Sequence, residues 1–327
     1  MTGTFGRKLV STFIALAVSG LVLWWLLWGD AGWALIEAVG AADPWLLALA
    51  AALAIVIQLI RAWRFSILAS GDLALPSWTM IGIATRLILL NFILPFKLGE
   101  LGYPLMMKRA YDTPIAQGTG ILILSRLQDF GVVAAILLLT SASFFEPRVG
   151  AWSPLVIASM GMMLLILPMV LVDFLPWLCT LTERWPRIHH LAEQVIFGAR
   201  MVRPCGRRLL VFLLSCAIWL VHSLIAFLTV RAIDADLNFL QAAMAGAASN
   251  LAFALPIGTI AGLGPPQAAW VYMLHLDGVG LITAKTTAFL CHGLLLVTIS
   301  IWGALGYLNW ADKPKTSLGG HGREPSS

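Results

Sequence analysis

Charged residues are scarce in this sequence. Asp, Glu, Lys and Arg make up 11% of its 327 residues, where a soluble globular domain carries roughly a quarter. That excludes an ordinary water-surrounded domain. The net charge of +5 comes mostly from Arg and Lys near segment ends and reads as orientation signal and phospholipid contact, so no nucleic-acid partner is expected. Cysteine is sparse too: Cys179, Cys205, Cys216 and Cys291 lie far apart and form no C-x-x-C pair. A disulfide framework or a zinc site is not expected from that spacing. Motifs that bear nucleotides or nucleophiles are missing. There is no G-x-x-x-x-G-K-[ST], no H-E-x-x-H and no G-x-S-x-G, so direct ATP drive and enzyme chemistry are not expected, and no cofactor or metal is implied. His189-His190 has only Glu193 as a nearby carboxylate and reads as a surface pair.

Apolar residues, by contrast, make up 60% of the chain, gathered in blocks much longer than a barrel strand. Each block must satisfy its own backbone within lipid, which predicts an all-α integral membrane protein. Arg7-Lys8 precedes a run from Leu9 to Trp28 that ends on Trp24, Trp25 and Trp28, the pattern of a retained first helix. Further blocks follow over 44–69, 77–109 with a break at Pro95, 114–145, 154–171, 209–230, 239–276 with a Pro/Gly-rich break at 256–266, and 281–308. The stretch 173–208 carries six arginines against three acids and is expected to stay cytoplasmic. Within it Ile188, Leu191, Val195 and Val202 recur at helical spacing, which suits an amphipathic helix on the membrane surface. A polar tail, 311–327, reads as disordered and cytoplasmic.

Charge bookkeeping then sets the topology. The acidic segment with Asp30, Glu37 and Asp43 reads as an external loop. If 77–109 enters from the cytoplasm, turns at Pro95 and returns to Lys108-Arg109, and 239–276 does the same from outside, every basic segment stays inside. The expectation is about six full spans plus two oppositely oriented re-entrant hairpins in a single domain, 1–310, with both termini cytoplasmic. The two broken segments also resemble each other. The first reads Asn91-Phe-Ile-Leu-Pro95-Phe-Lys97-Leu-Gly99-Glu100. The second has Asn250, then Leu-Pro256, then Gly262-Leu-Gly264 and Gln267. Paired Gly/Pro-broken segments in corresponding halves are the signature of inverted-repeat transporters, here 44–145 and 209–308.

Arg61-Ala-Trp-Arg64, Asn91…Leu-Pro95…Leu-Gly99-Glu100, Arg126-x-x-Asp129 and Pro256…Gly262-Leu-Gly264 resemble the transmembrane domain of lysylphosphatidylglycerol synthases over roughly residues 5–310. The resemblance implies a lipid flippase domain in a bacterial or archaeal cytoplasmic membrane. Only 17 residues follow Trp310, so the chain is expected to be a free-standing member without the soluble aminoacyltransferase domain. Two positions depart from the family pattern. Gln267 stands where an acid usually closes the second motif, and Tyr103 where an arginine often follows the first, which bears on the head group transported.

Arg126 and Asp129 share one helix face and, being charged in an apolar span, should face the protein interior. They read either as a phosphate contact oriented by its neighbour or as an ion pair locking two helices. Arg61 and Arg64 read as snorkelling anchors or as phosphate capture shared with Arg86. Lys97 and Glu100 at the first break read as lining a cavity, or as solvated if the break is at the surface. Asn91 and Asn250 are expected to hydrogen-bond across the hairpins, Lys285 to snorkel, the tryptophans to anchor at interfaces, and His222 and His292 to bond between helices. The functional expectation is a transporter or flippase of a membrane phospholipid or isoprenoid-type lipid with an anionic head. The rivals are a lipid-modifying enzyme using Glu100 and Asp129, and a scaffold for a lipid-biosynthetic enzyme; a second copy of the chain is the other partner considered.

Overall fold

The computed structural model describes residues 20–308 apart from 22–23, 25–27, 150–152, 203 and 256–260. Most of the expected first helix and the whole tail fall outside the described residues, as does Pro256. What is described is helical, with no strand among the described residues. The helices are α1 Ala31–Ala41, α2 Pro44–Ser70, α3 Trp78–Ile93, α4 Gly102–Tyr111, α5 Ile115–Val149 and α6 Ser153–Thr180. They continue as α7 Pro186–Val195, α8 Phe197–Met201, α9 Cys205–Arg231, α10 Phe239–Ala254, α11 Pro265–Leu276 and α12 Leu281–Leu308. Four of these, α2, α5, α9 and α12, contain stretches long and apolar enough to cross a membrane, and the protein is a multi-pass membrane protein.

Local chemistry fixes the helix ends. The Asp43 carboxylate accepts from Trp45 N and Leu46 N, with Pro44 at the first position of α2, the arrangement that satisfies orphan donors at an N-terminus. Gly71, at φ 71°, ends the same helix. Ser77 caps α3, and Asn238 and Gln241 form a reciprocal capping box on α10. One reading needs correction. The acidic segment after Gly29 folds as α1, against α12, rather than as a loop. The Arg-rich stretch is largely helical, because α6 runs on to Thr180 and α7 to α9 follow with short joints. Helix α7 carries the expected amphipathic pattern, with Ile188 and Leu191 exposed and no residue buried. Val202 lies outside it and is fully buried in the core around Phe65 and Tyr103.

Helices α2 and α9 are antiparallel neighbours. Asp43 N donates to Ala232 O at one end, while the Arg207 guanidinium lies against Gly71 at the other. The first end carries Asp43, Asp234, Asp236 and Asp277; the second carries Lys108, Arg109, Arg207 and Arg208. Each broken segment starts and finishes at a single end of this pair. Ser77 Oγ meets Tyr111 Oη at 2.7 Å, joining the entry of α3 to the exit of α4. Gln241 Nε2 donates to Asp277 Oδ2 at 2.7 Å, joining the entry of α10 to the exit of α11. With 16 residues each, α3 and α10 are about 24 Å long, short of a hydrocarbon core of about 30 Å.

The breaks are strained backbone. Phe96 and Lys97 both sit at φ 57° in the first, Ala261 at 54° and Gly262 at 65° in the second. A non-glycine residue there costs roughly 1–2 kcal/mol, so packing must hold the turns. Gly99 supplies part of that packing, because its Cα lies against the backbone of Leu90 and Asn91 with no room for a Cβ. The halves are also crossed: α3 packs on α12 and α10 on α5. Gly303 and Gly306 bring α12 onto Leu89 and Thr85 of α3, a small-residue contact of the kind that helices in lipid depend on.

Gly99→Ala is therefore expected to lower stability by about 1–3 kcal/mol, whereas Gly206→Ala, where a Cβ meets nothing within 4 Å, should leave it unchanged. Thermal unfolding of the two variants in detergent measures the difference; equal midpoints would contradict the packing role of Gly99.

Candidate functional site

A cavity of about 760 Å³ opens between the two breaks, within the roughly 300–1,000 Å³ typical of small-molecule sites. Its polar wall comes from α2 (Gln58, Arg61), α3 (Asn91), the turn Pro95–Leu101 (Lys97, Glu100) and α5 (Arg126, Asp129). Helix α9 adds Trp219 and His222, α10 Asn250, α11 Gln267 and α12 His292. The remaining wall is apolar, including Ile57, Phe92, Leu122 and Leu295.

A charge network organises the polar side. The Asp129 carboxylate takes two hydrogen bonds from Arg64, at 2.6 and 3.0 Å, and a third from Trp219 Nε1 at 3.0 Å. Arg64 has no exposed surface and also donates to Ser215 Oγ at 2.8 Å. The fork-to-fork geometry is the strong form of an ion pair. It ties α2, α5 and α9 together at one point. Arg126 then bridges outward, to Glu100 Oε1 at 2.7 Å and to Asp129 Oδ2 at 3.4 Å, which fixes the first break to α5. Lys97 does not pair with Glu100; its Nζ sits 3.3 Å from the centroid of the Phe253 ring, so the first break touches the helix that leads into the second.

Of the residues proposed from sequence, Arg61, Asn91, Lys97, Glu100, Arg126, Asp129, Asn250 and Gln267 come together on the cavity wall. Arg64 lies behind it, as the partner of Asp129. Arg86 is placed elsewhere: it is buried, donates from Nε to Gly82 O and stacks near Tyr307. Pro95 begins the first turn, and Pro256 is not described. The snorkelling expectation fails for Arg61 and Arg64, which are 5% and 0% exposed, and for Lys285 at 7%. Residues one helical turn apart on an inward face point at partners, not at the interface.

The asparagines do not bond across the hairpins either. Asn250 Nδ2 donates to Gly246 O of its own helix, and Asn91 abuts Gly99. His292 Nε2 does reach between elements, to Ala261 O at 3.0 Å. Trp219 and Trp270 are internal hydrogen-bond donors instead of interface anchors, to Asp129 and to Thr287. Sequence reasoning missed Gln58, Ser215, Trp219 and Phe253. Gln58 was legible as one turn before Arg61; the other three carry no local signal.

Residues 12–303 match the model of the lysylphosphatidylglycerol synthase TM region family. The chain belongs to that family. Membership in the lysylphosphatidylglycerol synthase TM region family ties the protein to membrane lipid. No curated protein and no solved structure gives a significant match to the chain. The departures from the family pattern can be placed. Tyr103 is fully buried with its ring 4.6 Å from that of Phe65. Gln267 accepts from Gly264 N at 2.7 Å, while its Nε2 has no partner.

Removing one member of the buried pair strands the other. Asp129→Asn is expected to cost about 3–5 kcal/mol, whereas Arg64→Met with Asp129→Leu should cost much less. Unfolding of both variants in detergent tests this, and an Asp129→Asn protein as stable as wild type would refute it.

Proposed function

We propose that the protein moves a membrane lipid between leaflets, its polar head in the cavity and its tails left in the bilayer. The observation that carries this reading is the rim of the cavity. Leu101, Ile123 and Phe130 line the cavity and are also 64%, 53% and 44% exposed on the outer surface. A ligand entering between the first break and α5 therefore passes an apolar portal before reaching the ion network. A soluble metabolite has no use for such an entrance, whereas a lipid needs one.

The arrangement of the halves supports transport over a static role. In each half a span (α2 or α9) leads into a broken segment and then another span (α5 or α12). The broken segments enter from opposite ends of the antiparallel α2–α9 pair, and the crossed contacts α3–α12 and α10–α5 correspond. We read these as inverted repeats whose re-entrant hairpins meet at the cavity. The basic end, with Lys108 and Arg109, faces the cytoplasm of a bacterial or archaeal inner membrane. Rocking one half on the other would open the cavity alternately. With no nucleotide motif, movement is passive or ion-coupled.

Reconstituted protein should scramble fluorescent phospholipid or isoprenoid-linked lipid between liposome leaflets. Arg126→Ala and Glu100→Gln should slow it about ten-fold or more, as loss of a hydrogen-bonded charge partner predicts, at a smaller loss of stability than Asp129→Asn. Folded wild type that moves none of these lipids would overturn the proposal, and conversion of a lipid to product would establish an enzyme instead.

A further inference from the structure

The charges around the cavity do not balance. Arg61, Lys97 and Arg126 line it, and Arg64 stands directly behind; the carboxylates are Glu100 and Asp129. Both carboxylates are already taken, Glu100 by Arg126 and Asp129 by Arg64 and Arg126. His222 and His292 also line the cavity and add no carboxylate to it. Arg61 and Lys97 are left as two cations with no carboxylate in ion-pair contact among the described residues. Arg61 is 5% exposed, donates one bond to the neutral Gln58 Oε1 at 2.8 Å, and its Nε has no partner. Lys97 Nζ sits over the Phe253 ring, a contact weaker than an anion in ion-pair contact would make.

We propose that the cavity selects a head group carrying two negative charges on phosphate, a phosphomonoester or a pyrophosphate, received by Arg61 and Lys97. A phosphodiester or carboxylate brings one charge and leaves one cation without a counter-charge, while a phosphomonoester near pH 7 brings close to two. The guanidinium fork and the ammonium both suit phosphate oxygens, and the unpartnered Gln267 Nε2 on the same wall adds a donor. Binding of the phosphate draws Lys97 off Phe253 and so loosens the contact between the two breaks. The attachment of this phosphate to a lipid rests on the translocation reading; the charge of the ligand does not.

The test is binding to the purified full chain in detergent, by native mass spectrometry. The probes are short-chain phosphatidic acid, farnesyl pyrophosphate, phosphatidylglycerol, phosphatidylcholine and inorganic pyrophosphate. Wild type should hold the first two about ten-fold tighter or more than phosphatidylglycerol and phosphatidylcholine. Arg61→Gln with Lys97→Gln should abolish that preference, and Arg61→Lys with Lys97→Arg should keep it. Equal binding of all lipids by wild type, or a preference that survives the neutral double variant, would overturn the proposal. Inorganic pyrophosphate binding as tightly as the lipids would overturn the lipid origin of the phosphate. A preference in protein that scrambles nothing removes transport and leaves the charge selection standing; scrambling without preference does the reverse.

Discussion

A charge inside an apolar helix bundle has to find its counter-charge, and the pairing of Arg64 with Asp129 is where this protein meets that constraint. The guanidinium has no exposed surface, so it cannot be hydrated, and its carboxylate partner comes from a helix 65 positions away in sequence. Ser215 and Trp219 on α9 complete the shell. Three helices are thereby held in one register. Arg126 extends the network by one step to Glu100 and thus to the strained turn at Phe96-Lys97. The first break keeps its unusual backbone because an ion pair on one side and the Gly99 contact on the other both hold it.

The cavity follows from that geometry. The 16-residue helices α3 and α10 each end at a break, and the cavity lies between those breaks. Opposite entry points bring the two tips toward each other from the two ends of the α2–α9 pair. The space is walled on one side by the ion network and on another by aliphatic side chains, and it opens laterally past Leu101, Ile123 and Phe130. The proposed lipid would match such a space, its charged end compensated inside and its apolar end left in the bilayer. Helix α7, with Ile188 and Leu191 turned outward, is suited to lie at the bilayer surface at the basic end.

Much of this was legible in the sequence because hydrophobicity and punctuation are strong signals. Asp43-Pro44, Ser77 and the run 281–308 located helix ends to within a residue or so, and the paired Leu-Pro and Leu-Gly motifs located the breaks. Eight charged and amide residues proposed from the sequence do line one cavity. What stayed hidden depends on long-range pairing. Arg61, Arg64 and Lys285 look like interfacial anchors by position alone, because a helix end near basic residues fits snorkelling as well as burial. Nothing local to Ser215 or Trp219 announces a bond to α2 or α5. Arg86 shares a helix with Asn91 but not its face, and only the position of α12 decides where it goes.

The central claim is that a lipid head group occupies the cavity. A photoreactive residue at Ser249, which lines it, and another at Val297, which is 58% exposed on α12, can be activated in native membranes and the adducts identified by mass spectrometry. Occupancy predicts that Ser249 captures a restricted set of lipids through their head groups, while Val297 captures acyl chains in proportion to the bulk membrane. Adducts at Ser249 that are absent, or that mirror those at Val297, would contradict it.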